Sequence, residues 1–240
     1  MDIQSISLLN LSLAFIPVVI VVIIMFWWQL DYKTSIYAMV RMLIQLLLIG
    51  FFLNYIFDSD SSWIIVGVLI VMLLSSSWIG LRTLSKHRKS LYLTALWSIS
   101  IGGGFVLLLV TQGVLSLDPW YLPSYMVPLA GMIFASSMNS VSLAGERLDS
   151  ELTRGSTYDE AKKIAIKAAL IPITNSLFAV GLVSLPGMMT GQILSGVSPF
   201  IAARYQIMVM CMLFGAAGIS AVLFLIFGRK NFEGFTTEPV

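Results

Sequence analysis

Charge is scarce in this chain. Asp, Glu, Lys and Arg make up 11% of its 240 residues, and hydrophobic residues make up 58%. Soluble domains carry about 25% charged and about 45–50% apolar residues. The shortage therefore excludes a soluble fold and leaves no length for a sizeable domain outside lipid. Cysteine is nearly missing: Cys211 stands alone inside an apolar run, so no intramolecular disulfide is possible. His87 is the only histidine, which rules out a zinc triad, and neither H-E-x-x-H nor G-x-S-x-G occurs. A net charge of +2 is too small to suggest nucleic-acid binding. The phosphate-cradling pattern G-x-x-x-x-G-K-[ST] is absent, so the chain has no P-loop of its own. Acids are also missing from the apolar runs: Asp2, Asp31, Asp58, Asp60, Asp118, Glu146, Asp149, Glu151, Asp159, Glu160, Glu233 and Glu238 all sit in loops or at span ends. Ion-driven carriers keep ionisable relays inside the membrane, so the energy for any transport is expected from elsewhere.

What the chain has is long apolar runs. A helix needs about 20 mostly apolar residues to cross about 30 Å of hydrocarbon. Seven segments qualify, at about 7–28, 35–57, 62–81, 91–116, 122–145, 169–195 and 203–228. The expected fold class is all-α, a polytopic membrane protein of about seven transmembrane helices in one transmembrane domain, residues 1–240. The first run has no basic flank and no small-residue cleavage site, which fits a retained span. With the N-terminus outside, every Lys and Arg except Arg204 falls on the cytoplasmic side, as the positive-inside rule requires. The C-terminus is then cytoplasmic, and the basic loop RTLSKHRKS (Arg82–Ser90) is a topology determinant.

The charged segment ERLDSELTRGSTYDEAKKIAIK, residues 146–167, interrupts this pattern. Span five is expected to continue past Gly145 as a helix. Gly155 breaks it, and Thr157-Tyr-Asp-Glu160 reads as a capping box that starts the next helix. Asp159 and Glu160 suit that helix's N-terminus, with Lys162, Lys163 and Lys167 further along. The result is a cytoplasmic elbow over about 146–168. Ala161, Ile164, Ala165, Ala168 and Ala169 make a small apolar stripe. A plain interfacial helix is one reading, but an alanine stripe grips a bilayer poorly, and a helix seated in a partner's groove fits better. Glu146, Arg154, Gly155, Thr157, Glu160 and Lys163 are the candidate coupling residues.

Span six is interrupted near LPGMMTG, residues 185–191. Pro186 removes a backbone donor, and a break inside lipid must line a cavity or be packed in protein. Gly187 and Gly191 also form a G-x-x-x-G pair, so packing and pathway readings both stand. Pathway candidates are Met132, Asn139, Asn175, Pro186, Met188 and Met189. Arg41 and Gln45, one turn apart on span two, join them as a possible vestibule, against a reading in which Arg41 snorkels to the interface. The 13 methionines suit flexible packing or, less directly, a soft metal. No metal-ligand set emerges.

The strings GLVSLPGMMTGQIL and RYQIMVM, with VPLAGMI upstream and the Arg41/Gln45 pair, resemble the FetB-type permeases. These are membrane subunits of ABC transporters linked to iron export, with plant relatives linked to aluminium tolerance. The resemblance covers about residues 35–228. It implies a separate ABC ATPase subunit that binds ATP and Mg, a permease homodimer, a bacterial-type inner (plasma) membrane location, and no cofactor or enzymatic activity in this chain. The elbow then reads as a coupling helix. Rival classes are a stand-alone channel or carrier, and a membrane scaffold that regulates an ATPase. Iron favours carboxylate and imidazole ligands, which the spans lack, so iron would have to pass chelated or along Asn, Ser, Met and backbone oxygens.

Overall fold

Helix is what an apolar chain must form, because lipid offers no partner for backbone N–H and C=O groups. The computed structural model describes residues 7–57 and 61–232. Asp2, Asp58, Asp60, Glu233 and Glu238 lie outside the described residues. Regular structure among those described is helical, apart from one isolated bridge between Val180 and Ser184. The chain divides into two compact units, residues 1–59 and 60–240.

The first unit holds α1 (Leu8–Leu13), α2 (Ile16–Trp27) and α3 (Tyr32–Phe57). The first expected span is thus two helices meeting at Ala14 and Phe15, with Pro17 preorganising the first turn of α2. A tight turn through Gln29, at φ 55°, leads into α3. Phe26 meets Tyr32 edge to face at 5.3 Å across that turn. Arg41 and Gln45 lie four residues apart on α3, both exposed within this unit.

The second unit holds α4 (Ser62–Gly80), α5 (Arg88–Leu108), α6 (Pro123–Thr153), α7 (Tyr158–Ala179), α8 (Gly187–Leu194) and α9 (Pro199–Phe227). A 3₁₀ segment, Arg82–His87, joins α4 to α5, and a π-helical turn, Leu109–Val114, ends α5. Small residues bring the helices close, as expected where lipid supplies no hydrophobic drive between them. A Cβ at Gly102 on α5 would stand 2.6 Å from Ser220 Oγ and 2.8 Å from Ser220 N on α9. Ser220 Oγ donates to Ser137 Oγ at 3.0 Å, and Ser137 Oγ donates to the Ala216 carbonyl at 3.3 Å. Ser136 Oγ reaches the Leu213 carbonyl at 3.1 Å. This seam of α5, α6 and α9 is the core of the unit.

Six helices among the described residues are long and apolar enough to cross a membrane. The seventh expected run, 169–195, is present as the end of α7 and the short α8. The interruption is earlier and wider than the sequence reading placed it. It spans Val180–Pro186, with Gly181 at φ 84°, and LPGMMTG mostly forms the start of α8. The physical reason is that Val180 leaves the helix in an extended conformation and Gly181, at φ 84°, takes the position of the following turn that only glycine fills readily, with Leu182 N–H donating to the Ala179 carbonyl at 3.2 Å, while Pro186 suits the start of a helix rather than its middle.

Candidate functional site

Two features stand out in the second unit: the elbow between α6 and α7, and a cavity beside the interruption at the other end of α7.

Helix α6 is 31 residues long. At 1.5 Å per residue it measures about 46 Å, so its charged last turns stand clear of a hydrocarbon core of about 30 Å. Glu151 organises the corner. Its side chain is buried, with Oε1 at 2.6 Å from Arg147 Nη2 and 3.4 Å from Arg154 Nη1. Ser156 Oγ donates to its other oxygen at 3.4 Å. Gly155 then takes φ 89°, a conformation costly for other residues. Thr157 and Glu160 close the expected capping box, with the Glu160 carboxylate accepting from the Thr157 hydroxyl at 2.7 Å and from its N–H at 3.2 Å. Those two bonds, the hydroxyl's first, hold the Glu160 carboxyl below its ordinary range. The hydrogen bond and charge of Lys162, at 2.8 Å, do the same for Asp159.

Tyr158 fastens the corner to α9. Its ring is buried, its hydroxyl donates to the Leu225 carbonyl, and Arg229 lies 5.1 Å over its face. That carbonyl is one of the last four of α9, where a helix runs short of its own donors. The 3₁₀ segment packs on the same corner: a Cβ at Gly145 would meet Leu84 Cδ1 at 2.6 Å and Phe224 Cε1 at 3.1 Å.

The alanine stripe corrects an expectation. Tyr158, Ala161, Ala165 and Ala169 are buried, at helical spacing, where α7 packs within this unit. The stripe is therefore consumed by the chain's own bundle, because alanine lets α6 and α7 approach closely, and does not offer a face to a partner's groove. Ile164 is exposed instead. Of the candidate coupling residues, Gly155, Thr157 and Glu160 build the corner and Arg154 leans on Glu151. Glu146 and Lys163 are exposed. Glu151 and Tyr158 were missed as site residues; the i, i+4 pairing of Arg147 with Glu151 was the available signal.

At the far end, a cavity of ≈ 370 Å³ lies among α6, α7, α8 and α9. Met132, Pro186, Met188, Gln206 and Met210 line it, with the irregular backbone at Val180 and Ser184. A smaller cavity of ≈ 200 Å³ adjoins it, shares Met132 and Met188, and adds Gln192 and Tyr205. So Met132, Pro186 and Met188 line one cavity. Asn139 lines a separate cleft lower on α6 and α7, near Ser136, Ser140 and Pro172. Met189 lies in another pocket, with Leu177, Ala203 and Cys211. Asn175 is exposed on α7 and borders none of these spaces. Neither Gly187 nor Gly191 has a neighbour within 4 Å of a built Cβ, so the G-x-x-x-G pair makes no close crossing in the described chain. No cluster of three or more His, Cys, Asp or Glu able to hold a metal occurs among the described residues.

Known proteins add the following. The chain is 39% identical over 187 residues to the UPF0014 membrane protein slr1647 of Synechocystis, covering 71% of each. It is 33% identical over 239 residues to the probable iron export permease protein FetB of Escherichia coli, covering 93% of this chain and 91% of the relative. It is 33% identical over 226 residues to the protein ALUMINUM SENSITIVE 3 of Arabidopsis thaliana, covering 87% and 81%. No solved structure matches. The uncharacterised protein family UPF0014 matches residues 8–232, nearly the whole of this bundle of apolar helices, and the chain belongs to that family of membrane proteins.

Proposed function

We propose that this chain is the membrane-spanning permease subunit of an ABC transporter, exporting iron or a related metal species under the power of a separate ATPase subunit that binds ATP and Mg. The elbow is the observation that carries this reading. It is a rigid corner built from a buried carboxylate, two arginines, a left-handed glycine and a capping box, projecting from an otherwise apolar bundle. Such a structure has little use in lipid and suits a surface that receives force from a soluble partner. The relative FetB, named a probable iron export permease, supports the transport role.

The basic segments Arg82–Lys89, Arg147–Lys167 and Arg229–Lys230 belong to the elbow end of the second unit, leaving Arg204 near the other end. That asymmetry supports a cytoplasmic elbow and C-terminus with the N-terminus outside, in a bacterial-type inner membrane. Asn139 supports a second permease copy or a polar path, because an exposed amide on a spanning helix is costly against lipid.

The test uses the chain co-expressed with an ABC ATPase subunit and reconstituted in vesicles. Reversing the outward charges, Glu146→Lys and Lys163→Glu, leaves the corner's own bonds in place. The expected result is loss of permease-dependent ATPase stimulation and of metal flux, with membrane abundance unchanged. Flux that proceeds without any ATPase would establish the carrier reading instead. ATPase binding without flux would establish the scaffold reading.

A further inference from the structure

Acid is missing from a long stretch of this chain: no Asp or Glu occurs between Asp60 and Asp118. The turn between α4 and α5 lies inside that stretch and carries Arg82, Lys86, His87, Arg88 and Lys89. The elbow differs, because residues 146–167 hold five acids and five cations. The elbow end of the second unit thus has a charge-balanced part and a part built from cations alone. Arg82, Lys86 and Lys89 are exposed, and none enters an ion pair among the described residues. Lys86 and Lys89 also flank the start of α5, which has no acid in its first turn and whose dipole opposes them. Crowded like charge of this kind calls for an anion from outside the chain.

Packing fixes the depth of these cations. Leu81 and Leu84 are buried, Leu84 against Gly145 of α6. Thr83 Oγ1 lies 3.2 Å from Ser142 Oγ, also on α6. The turn is therefore level with Ser142–Gly145, where the apolar run of α6 ends and its charged segment begins. Helix α6 continues to Thr153, about 12 Å further at 1.5 Å per residue. So the basic turn sits at the border of the hydrocarbon, and the elbow stands beyond it. The aromatic groups agree. Trp78 is 42% exposed and meets Tyr92 edge to face at 5.7 Å, with Arg88 Cζ 3.8 Å over its ring. The Arg88 guanidinium donates to the Trp78 carbonyl at 2.6 and 3.0 Å. Trp and Tyr gather at the headgroup level of a bilayer. Asn231 Nδ2 donates to the Ser90 carbonyl and to Thr94 Oγ1, both at 3.4 Å, which brings exposed Lys230 to the same border.

Carboxylates of a protein or phosphates of a lipid could both answer these cations, and the depth selects the lipid. A soluble partner meets the balanced elbow first, whereas phospholipid headgroups lie at the height of the turn. We propose that Arg82, Lys86 and Lys89, with Lys230, form a surface that recruits anionic phospholipids beside the Trp78–Tyr92 pair. The recruitment goes beyond the permease reading and needs no ATPase.

The experiment uses the full-length chain in phosphatidylcholine vesicles, with Trp78 as the sole tryptophan. Trp27, Trp28, Trp63, Trp97 and Trp120 are all exposed and are replaced by Phe. The probes are phosphatidylglycerol and phosphatidylcholine carrying the same brominated acyl chains, which quench a tryptophan they touch. Brominated phosphatidylglycerol is expected to quench Trp78 at a mole fraction at least about fivefold lower, the factor that one cation near an anionic surface supplies. At about 1 M salt that preference collapses, because exposed charges are screened. The triple variant Arg82→Gln, Lys86→Gln, Lys89→Gln brings the two lipids within about twofold. Arg204→Gln, at the other end of the unit, leaves the preference as it was. The salt series on the unsubstituted turn, with Lys86→Gln alone losing part of the preference, covers a triple variant that does not insert. Equal quenching by the two lipids overturns the proposal, as does a preference that survives high salt or the triple variant. Equal quenching, together with an ATPase subunit that binds the parent chain and not the triple variant, assigns the surface to an acidic protein face instead. Failure of the lipid preference leaves the ATPase-coupling test untouched, and failure of that test leaves the lipid preference untouched.

Discussion

The tight crossing of α5 and α9 yields a prediction with its own control. Gly102 and Gly104 lie two residues apart on α5. A methyl at Gly102 would stand 2.6 Å from Ser220 Oγ, 2.8 Å from Ser220 N and 3.0 Å from its Cα, whereas at Gly104 nothing lies within 4 Å. Two of the three obstacles at Gly102 are backbone atoms, which no rotamer change relieves, so α9 itself must move. It is also fixed there by the Ser220 bond to Ser137. Overpacking of a tight core costs about 1–3 kcal/mol, and backbone obstruction favours the upper half. Alanine gains up to about 1 kcal/mol over glycine in a helix, equally at both sites. Gly102→Ala is therefore expected to be less stable than Gly104→Ala by about 2–3 kcal/mol. The assay is titration of the folded chain in mixed micelles with SDS, read by tryptophan fluorescence. Trp78, which stacks edge to face on Tyr92 at 5.7 Å across α4 and α5, reports the local packing. A difference below about 0.5 kcal/mol between the two variants would refute the claim that this seam is close-packed on backbone.

Four further outcomes follow from the elbow. Gly155→Ala, held at φ 89° with open space around it, should cost about 1–2 kcal/mol from backbone strain alone, seen as a lower thermal midpoint, with Gly155→Asn milder. Glu151→Gln leaves Arg147 and Arg154 without their shared counter-charge; discounting for the part-exposed arginines, the loss should be about 1–2 kcal/mol, with faster proteolysis near Arg154. Tyr158→Phe strips the Leu225 carbonyl of its partner and should cost about 1–3 kcal/mol, with faster amide exchange in the last turn of α9. The Glu160 carboxyl is held below its ordinary 4.5, so the capping box contributes fully above about pH 4.5 and is lost as pH falls through the lowered value. Amide protection in the first turn of α7 should drop over that range, and Thr157→Ala should flatten the dependence.

Much of this architecture was written in local chemistry. Long apolar runs announced the helices, because lipid permits little else. Gly155 followed by Thr157-x-x-Glu160 announced the corner, because a left-handed stop and a capping box depend only on neighbours in sequence. What was not legible depends on neighbours in space. The alanine stripe of α7 reads the same whether a partner or the chain's own bundle covers it. Glu151 reads as one more acid in a polar segment until Arg147, Arg154 and Ser156 close around it. Pro186 is the stronger breaker on propensity, but the turn through Val180 and Gly181 ends α7 first. Gln192, Tyr205 and Gln206 were quoted only within family-like strings, and their buried, unpartnered oxygens emerge only once α8 folds beside α9.

The Tyr158 hydroxyl has a mechanical meaning. It pins the elbow to Leu225, and α9 then runs unbroken back to Gln206. Nineteen residues of helix make a strut of about 28 Å. A corner gripped and turned from outside thus has a stiff pushrod on the cavity that Gln206 lines, parallel to the route through α7, whose own far end is the loosened Val180–Pro186 stretch. With one stiff arm and one that yields, a symmetric shove at the corner emerges as a shear across the chamber walls.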